Sequence, residues 1–244
     1  MPAEISSRRT IRPATFRTSG YYFLGFLVVA IVAFWPSYFG RELSEIDSYT
    51  HFHVAMMVIW FGLLIAQPFL IRRGMLPIHR RVGRVSYLLA PVILVSGLML
   101  SHWRLNGLDA SEFRDFGHFF FLPVQATLLF AVTWGLAMIF RRKAALHARF
   151  MVGTALTLID PVVARLLGHF PQVENENYYQ IVGFGLTDIV LLMLILADGH
   201  SGRGRAAFPV MLAMFVALHV FWFTGAQTAW WLRIVAWFRD LPLT

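Results

Sequence analysis

The sequence contains no cysteine. Disulfides, thiolate metal sites and cysteine nucleophiles are therefore excluded. It also has no phosphate-binding glycine loop, no G-x-S-x-G elbow and no H-E-x-x-H pair, so nucleotide hydrolysis and the common serine and zinc-protease mechanisms have no support. Charged residues are scarce as well, because they form only 14% of the chain. A soluble domain carries about a quarter, so this chain has too little polar surface to cover a water-soluble globule.

Hydrophobic residues make up 58% of the 244 residues. Apolar runs of a length that crosses a bilayer occur at residues 21–39, 52–71, 84–101, 116–140, 148–168, 179–197 and 207–225. The first run has no small-residue cleavage site after it, which favours an uncleaved helix over a signal peptide. The sequence therefore predicts an all-α fold, a seven-transmembrane-helix bundle that forms a single domain over residues 1–244.

Basic residues lie in alternate connections of this bundle. The N-terminal arm (residues 1–19) and residues 72–84, 141–149 and 203–205 together hold most of the 21 Lys and Arg. Basic loops face the cytoplasm, so we expect a cytoplasmic N-terminus and a periplasmic C-terminus in a bacterial inner membrane. The net charge of +8 then matches anionic lipid rather than nucleic acid. Residues 227–239 predict an amphipathic helix in the outer interface.

Nine histidines are the main chemical feature of the sequence. His51 and His53 begin the second helix. Two positions on a helix differ by about 200°, so both face the bundle only if the helix begins between them. His118 and His219 are predicted on the same outer side. With these four histidines as ligands, a zinc, copper or di-iron site in an outward-facing pocket is one hypothesis.

His79 and His147 each begin a helix on the arginine-rich side. Neutral imidazole ligates metals and haem iron. The neighbouring Arg80, Arg81 and Arg149 suit either haem propionates or lipid phosphates. Ordinary anchoring of a basic loop at the cytoplasmic surface also explains the arginines.

Asp160 and Asp188 lie within apolar runs, where a carboxylate is costly unless it is paired or metal-bound. Both fall in the outer halves of their helices, so we expect a polar pocket that opens outward between the second, fourth, fifth, sixth and seventh helices. Either residue suits a metal site or general acid catalysis on a lipid-like substrate. The alternative is an ion pair with Arg165 that only joins helices.

Residues 51–84 (HFHVAMMVIWFGLLIAQPFLIRRGMLPIHRRVGR) and 141–166 (RRKAALHARFMVGTALTLIDPVVARL), together with residues 187–205, resemble a widespread bacterial family of uncharacterised seven-helix membrane proteins. A more distant resemblance is to the cytochrome b561 superfamily and its ferric-reductase relatives. It rests on His51 or His53, then Met56 or Met57, Trp60, Arg72, Arg73 and His79.

The second resemblance implies haem b held by two histidine pairs. His53 or His51 would pair with His118 on the outer side, and His79 with His147 on the inner side. Electron transfer from a quinol or across the membrane is the function it implies. The alternatives left open are the metal-dependent enzyme and a transporter or accessory subunit with a membrane-protein partner.

Overall fold

The computed structural model describes residues 18–170, 176–198 and 204–244, which form helices and no strand. Residues 1–17 of the basic arm and Arg203 lie outside the described residues. The helices are α1 (Ser19–Ala33), α2 (Ser48–Arg72), α3 (Leu76–Gly83), α4 (Ser86–Asn106), α5 (Ala110–Phe116), α6 (Phe121–Ile139), α7 (Ala144–Leu156), α8 (Ile159–Leu167), α9 (Glu176–Asp198), α10 (Ala207–Thr224) and α11 (Ala229–Arg239). The predicted all-α class is confirmed.

Six helical segments are long and apolar enough to cross a membrane: Ser48–Arg72, Leu76–Asn106, Ala110–Ile139, Ala144–Leu167, Asn177–Asp198 and Ala207–Thr224. They correspond to the second to seventh predicted runs. Helix α1 has 15 residues, or roughly 22 Å at 1.5 Å per residue, which is less than the ~30 Å hydrocarbon core. A π-helical turn at Trp35–Phe39 follows it.

The helices of the bundle pack in a closed ring. Helix α1 packs on α2, α2 on α4, α4 on α6, and α6 on both α7 and α10. The ring continues from α10 to α9, from α9 to α8 and from α8 back to α1. Its two ends differ in charge. The α2–α3 and α6–α7 connections form what we call the arginine-rich end, and we call the other the opposite end.

Helix α7 lies inside the ring. Its Ala155 packs with Trp60 and Phe130 in one apolar cluster, whereas its Phe150 packs with Phe208 in another. Gly153 permits the close approach to α6, because a Cβ there would lie 3.0 Å from Thr133 Cγ2. The arginine-rich half of the ring is thus filled by a helix.

The helix is interrupted between α7 and α8, at Thr157, four residues before Pro161. Proline lacks the N–H that would bond the Thr157 carbonyl and disfavours helix just before it. Beyond the break, α8 packs between α1 and α9 instead of α6 and α10. The helix that fills the centre at the arginine-rich end therefore moves to the wall at the opposite end.

The predicted C-terminal helix is present as α11. Trp231 and Val235 are buried on the bundle with Leu105, Phe120 and Phe121, whereas Trp230 and Trp237 remain exposed. One apolar face of α11 therefore packs on the protein, and exposed tryptophans remain for an interface.

Candidate functional site

His79 of α3 and His147 of α7 both lie at the arginine-rich end, within electrostatic range of each other. His147 Nδ1 donates to the Ala137 carbonyl at 2.9 Å. Neutral His147 therefore carries its proton on Nδ1 and leaves the Nε2 lone pair available, as histidine ligands of metals do.

Gln67 fixes the opposite tautomer of His79. Its side-chain oxygen accepts from the Gly83 amide at 3.1 Å, and its NH₂ donates to the His79 carbonyl at 3.2 Å and to His79 Nδ1. These two backbone groups orient the amide, so Nδ1 is an acceptor and neutral His79 carries its proton on Nε2. One imidazole of the pair thus presents a lone pair and the other an N–H.

The arginines of this end have different environments. Arg149 is 1% exposed and forms a two-point ion pair with Asp198 of α9, in which Nε donates to Oδ2 at 2.7 Å. Its Nη1 also donates to the Ala145 carbonyl at 2.7 Å. Arg80 and Arg81 are exposed. Of the three arginines considered for propionates or phosphates, Arg149 therefore joins helices, whereas Arg80 and Arg81 are open to an anionic group.

At the opposite end, the two histidines of the HxH pair separate, because α2 begins before both. His51 Nε2 donates to the Leu43 carbonyl at 2.9 Å, and Tyr38 donates to His51 Nδ1 at 3.0 Å. Both ring nitrogens are thus occupied by the α1–α2 connection. His51 is not available as a ligand without breaking these bonds.

His53 points to α4, where its Nδ1 lies 2.9 Å from Ser96 Oγ. The Ser96 hydroxyl donates its one hydrogen to the Ile93 carbonyl at 3.0 Å. With the hydroxyl so turned, Ser96 Oγ accepts from His53 Nδ1–H; in the other tautomer of His53 the hydroxyl donates to Nδ1 instead.

His118 lies in a different layer of the bundle. Its ring contacts Phe119 and Trp222, with centroids 4.4 and 5.4 Å away. Thr127 of α6 lies near His53, since a Cβ on the intervening Gly97 would lie 3.3 Å from the His53 ring and 3.8 Å from Thr127 Oγ1. Thr127 is about 13 Å along the helix from His118. The outer pairing of His53 with His118 stays a prediction.

His219 pairs with Asp188. Its Nδ1 lies 3.1 Å from Asp188 Oδ2, and its ring stacks on Phe184 at 4.0 Å. This contact joins α9 to α10. Asp188 is thus held by a histidine and not by Arg165, whereas Asp188 Oδ1 is buried without a hydrogen-bond partner.

Asp160 and Arg165 lie on α8, toward the opposite end. The Arg165 side chain is exposed, and Asp160 and Arg104 are the charged groups that act on it. Its Nη1 donates to the Pro161 carbonyl at 3.0 Å, and its guanidinium lies 4.3 Å from the Phe34 ring. Within the described residues no carboxylate oxygen lies within 4.0 Å of an Arg165 nitrogen, so the alternative of an Asp160–Arg165 ion pair is not seen.

The outward-opening pocket expected from the intramembrane carboxylates stays a prediction. In the part of the chain that the structure describes, no three His, Asp or Glu side chains are close enough to hold a metal ion. The four-histidine metal site is therefore not assembled there.

Two partners were missed from the sequence alone, Ser96 and Asp198. A carboxylate at the end of a membrane-spanning helix is costly unless it is paired, so Asp198 did carry a signal of pairing. Ser96 carried none, because a serine in an apolar helix can bond its own backbone.

No family model matches the chain, and no curated protein or solved structure is significantly similar to it. The two resemblances described above therefore stay predictions.

Proposed function

We propose that the chain is a membrane-embedded electron-transfer protein that binds one b-type haem between His79 and His147. The observation that carries the proposal is the hydrogen bond from His147 Nδ1 to the Ala137 carbonyl, because such a bond fixes the ring and leaves Nε2 for iron. His79, on a separate helix, lies within electrostatic range of His147.

The proposed topology has seven membrane crossings. Helix α1 with its π-helical continuation extends from Ser19 to Phe39, which is long enough to cross with local thinning of the bilayer. The arginine-rich end then faces the cytoplasm of a bacterial inner membrane, and the opposite end faces the periplasm.

The residues fit one haem better than two. His79 and His147 lie within electrostatic range of each other, whereas the imidazole of His53 bonds Ser96 and that of His118 packs on Phe119 and Trp222. His79 needs a change of tautomer to ligate through Nε2, because Gln67 now donates to its Nδ1. Rotating the Gln67 amide allows this change and sacrifices its bonds to the His79 carbonyl and the Gly83 amide, each worth about 1 kcal/mol.

Haem b, when bound, supplies a one-electron redox centre whose potential depends on axial ligands and burial. The chain's own groups then have separate tasks. His147 presents a lone pair in a fixed orientation, Gln67 sets the protonation of His79, and Arg80 and Arg81 offer exposed cations to propionates. A quinol in the bilayer is the class of reductant that we propose.

Haem content per chain tests this proposal. The protein is purified from cells supplied with haem precursor, and its haem is extracted and quantified. We expect about one haem per chain, lost in His147→Ala and retained in His118→Ala. A haem content that is equal in both variants would overturn the assignment, as would two haems per chain for the single-site version.

A further inference from the structure

A groove lies on the outer face of the bundle between α2 and α4, in the half nearer the opposite end. Its volume is about 700 Å³, within the range of ~300–1,000 Å³ that is typical of ligand sites. Its walls include Tyr49 and Phe52 of α2 and Pro91, Val92, Val95 and Met99 of α4. Phe52 and Val95 are 52% and 57% exposed, so the groove opens to the surroundings of the bundle. We call it the α2–α4 groove.

The position and the lining of the groove favour a hydrocarbon chain as its occupant. Both walls belong to segments that are long and apolar enough to cross a membrane, Ser48–Arg72 and Leu76–Asn106. Ser96 is the buried polar residue of the lining, and its hydroxyl lies within hydrogen-bond distance of His53 Nδ1 and of the Ile93 carbonyl. Because protein groups already occupy this hydroxyl, the base of the groove suits an apolar chain from the bilayer better than a polar group.

The length of the groove matches one leaflet of a bilayer. Pro91, at its deep end, lies about 20 Å along α4 from Arg104 in the last turn of the helix. One leaflet with its headgroups is about 20–22 Å thick. A lipid whose headgroup lies at the level of Arg104 therefore has its hydrocarbon chain alongside Met99, Val95 and Pro91.

A cation lies above the groove at the headgroup level. The Arg104 guanidinium is 5.3 Å from the Trp103 ring, and that ring is 6.2 Å from the ring of Tyr49 in the groove wall. The Arg104 side chain is 64% exposed, and its Nη2 lies 3.6 Å from Asp47 Oδ2 and donates to Thr50 Oγ1 at 3.3 Å. Arginine has five N–H donors, so donors remain for a phosphate, which binds such a fork through two parallel hydrogen bonds. Tryptophan and tyrosine are typical of the membrane–water interface.

We propose that the α2–α4 groove is a specific site for one phospholipid from the leaflet at the opposite end. One acyl chain lies along Met99, Val95 and Pro91, and the phosphate binds Arg104. Phosphate is common to zwitterionic and anionic phospholipids, so both classes bind. This inference goes beyond the proposed electron transfer and does not depend on haem.

Native mass spectrometry of the full chain in mild detergent tests the proposal. The probes are phosphatidylethanolamine, phosphatidylglycerol and a diacylglycerol with the same acyl chains, which lacks the phosphate. We expect one phospholipid per chain to stay bound after detergent has removed the others. The diacylglycerol should bind about ten-fold more weakly or worse, because it cannot accept the charge-assisted hydrogen bonds of Arg104.

Two variants locate the site. Val95→Trp fills the groove and should weaken phospholipid binding by about ten-fold or more, whereas Val220→Trp is its matched control, because Val220 is 53% exposed on α10. Arg104→Gln should weaken phospholipid binding and leave diacylglycerol binding unchanged, which also covers the case in which Val95→Trp does not fold. Arg41→Gln is the control for the lost charge, because Arg41 pairs with Glu45 on the surface.

The proposal is overturned if Val95→Trp and Val220→Trp retain phospholipid equally, since the bound lipid would then be unspecific. Unchanged phospholipid binding in Arg104→Gln, or a diacylglycerol that binds as tightly as the phospholipids, would overturn the role of the phosphate. A wild-type dimer without bound lipid that Val95→Trp dissociates would also overturn the proposal, because a second copy of the chain would then cover the groove.

Discussion

The ion pair between Arg149 and Asp198 makes the most direct prediction about stability. The Arg149 side chain is 1% exposed and that of Asp198 is 9% exposed, and they connect α7 to α9. Loss of one member of such a pair leaves a charge buried without its partner, at a cost of about 3–5 kcal/mol. We therefore expect Asp198→Leu to destabilise the folded protein by an amount in this range.

Replacing both members should have a different effect. Since an apolar pair of similar volume is often as stable as a buried ion pair, Arg149→Met with Asp198→Leu should be more stable than either single variant. The exposed Arg41–Glu45 pair, at 3.3 Å, is the matched control. Glu45→Gln should cost only about 0.3–0.5 kcal/mol.

The assay is equilibrium unfolding in mixed micelles of mild detergent and increasing SDS, followed by tryptophan fluorescence. A double variant that is less stable than both single variants would contradict this account of the pair. So would an Asp198→Leu variant that loses no more stability than Glu45→Gln.

Two further predictions concern packing and helix capping. Gly153→Ala should cost about 1–3 kcal/mol in the same unfolding assay, because its Cβ would meet Met211 Sδ and Thr133 in a packed core, whereas Gly135→Ala, with open space around it, should not destabilise. Asp109 accepts from Ser111 and Glu112 at the start of α5, and the hydrogen bond from the Ser111 hydroxyl is the main reason that its pKa lies below the ordinary value. Its capping is complete above the ordinary pKa of about 4 and is lost as the pH falls through the lower folded pKa. Hydrogen exchange of the α5 amides should therefore be faster in Asp109→Ala than in wild type at neutral pH. This difference should vanish in strong acid. Equal exchange of the two proteins at neutral pH would contradict the role of Asp109 as a helix cap.

The sequence predicted local features of the fold better than it predicted which side chains pair between helices. Six of the predicted apolar runs correspond to segments of membrane-spanning length, because hydrophobicity and length are local properties. The 200° relation between His51 and His53 predicted that both could face the bundle only if the helix began between them, and α2 begins before both, at Ser48. The break before Pro161 was not predicted, although proline supplies its cause.

The side-chain partners of Arg149 and Asp188 depended on how the helices pack. Arg149 was assigned to haem propionates from its place in a basic segment, but packing of α7 on α9 gives it Asp198. Asp188 was considered as a partner of Arg165, but it lies on α9 opposite His219 of α10. Sequence spacing restricts which face a side chain occupies and does not determine which helix lies against that face.

The absorption spectrum of the purified protein tests the central proposal most directly. It is recorded in mild detergent, first oxidised and then reduced with dithionite, for wild type and for His147→Ala. The account predicts a Soret band and sharp α and β bands on reduction in wild type, and their loss in the variant. A colourless wild-type protein from cells with ample haem would contradict it.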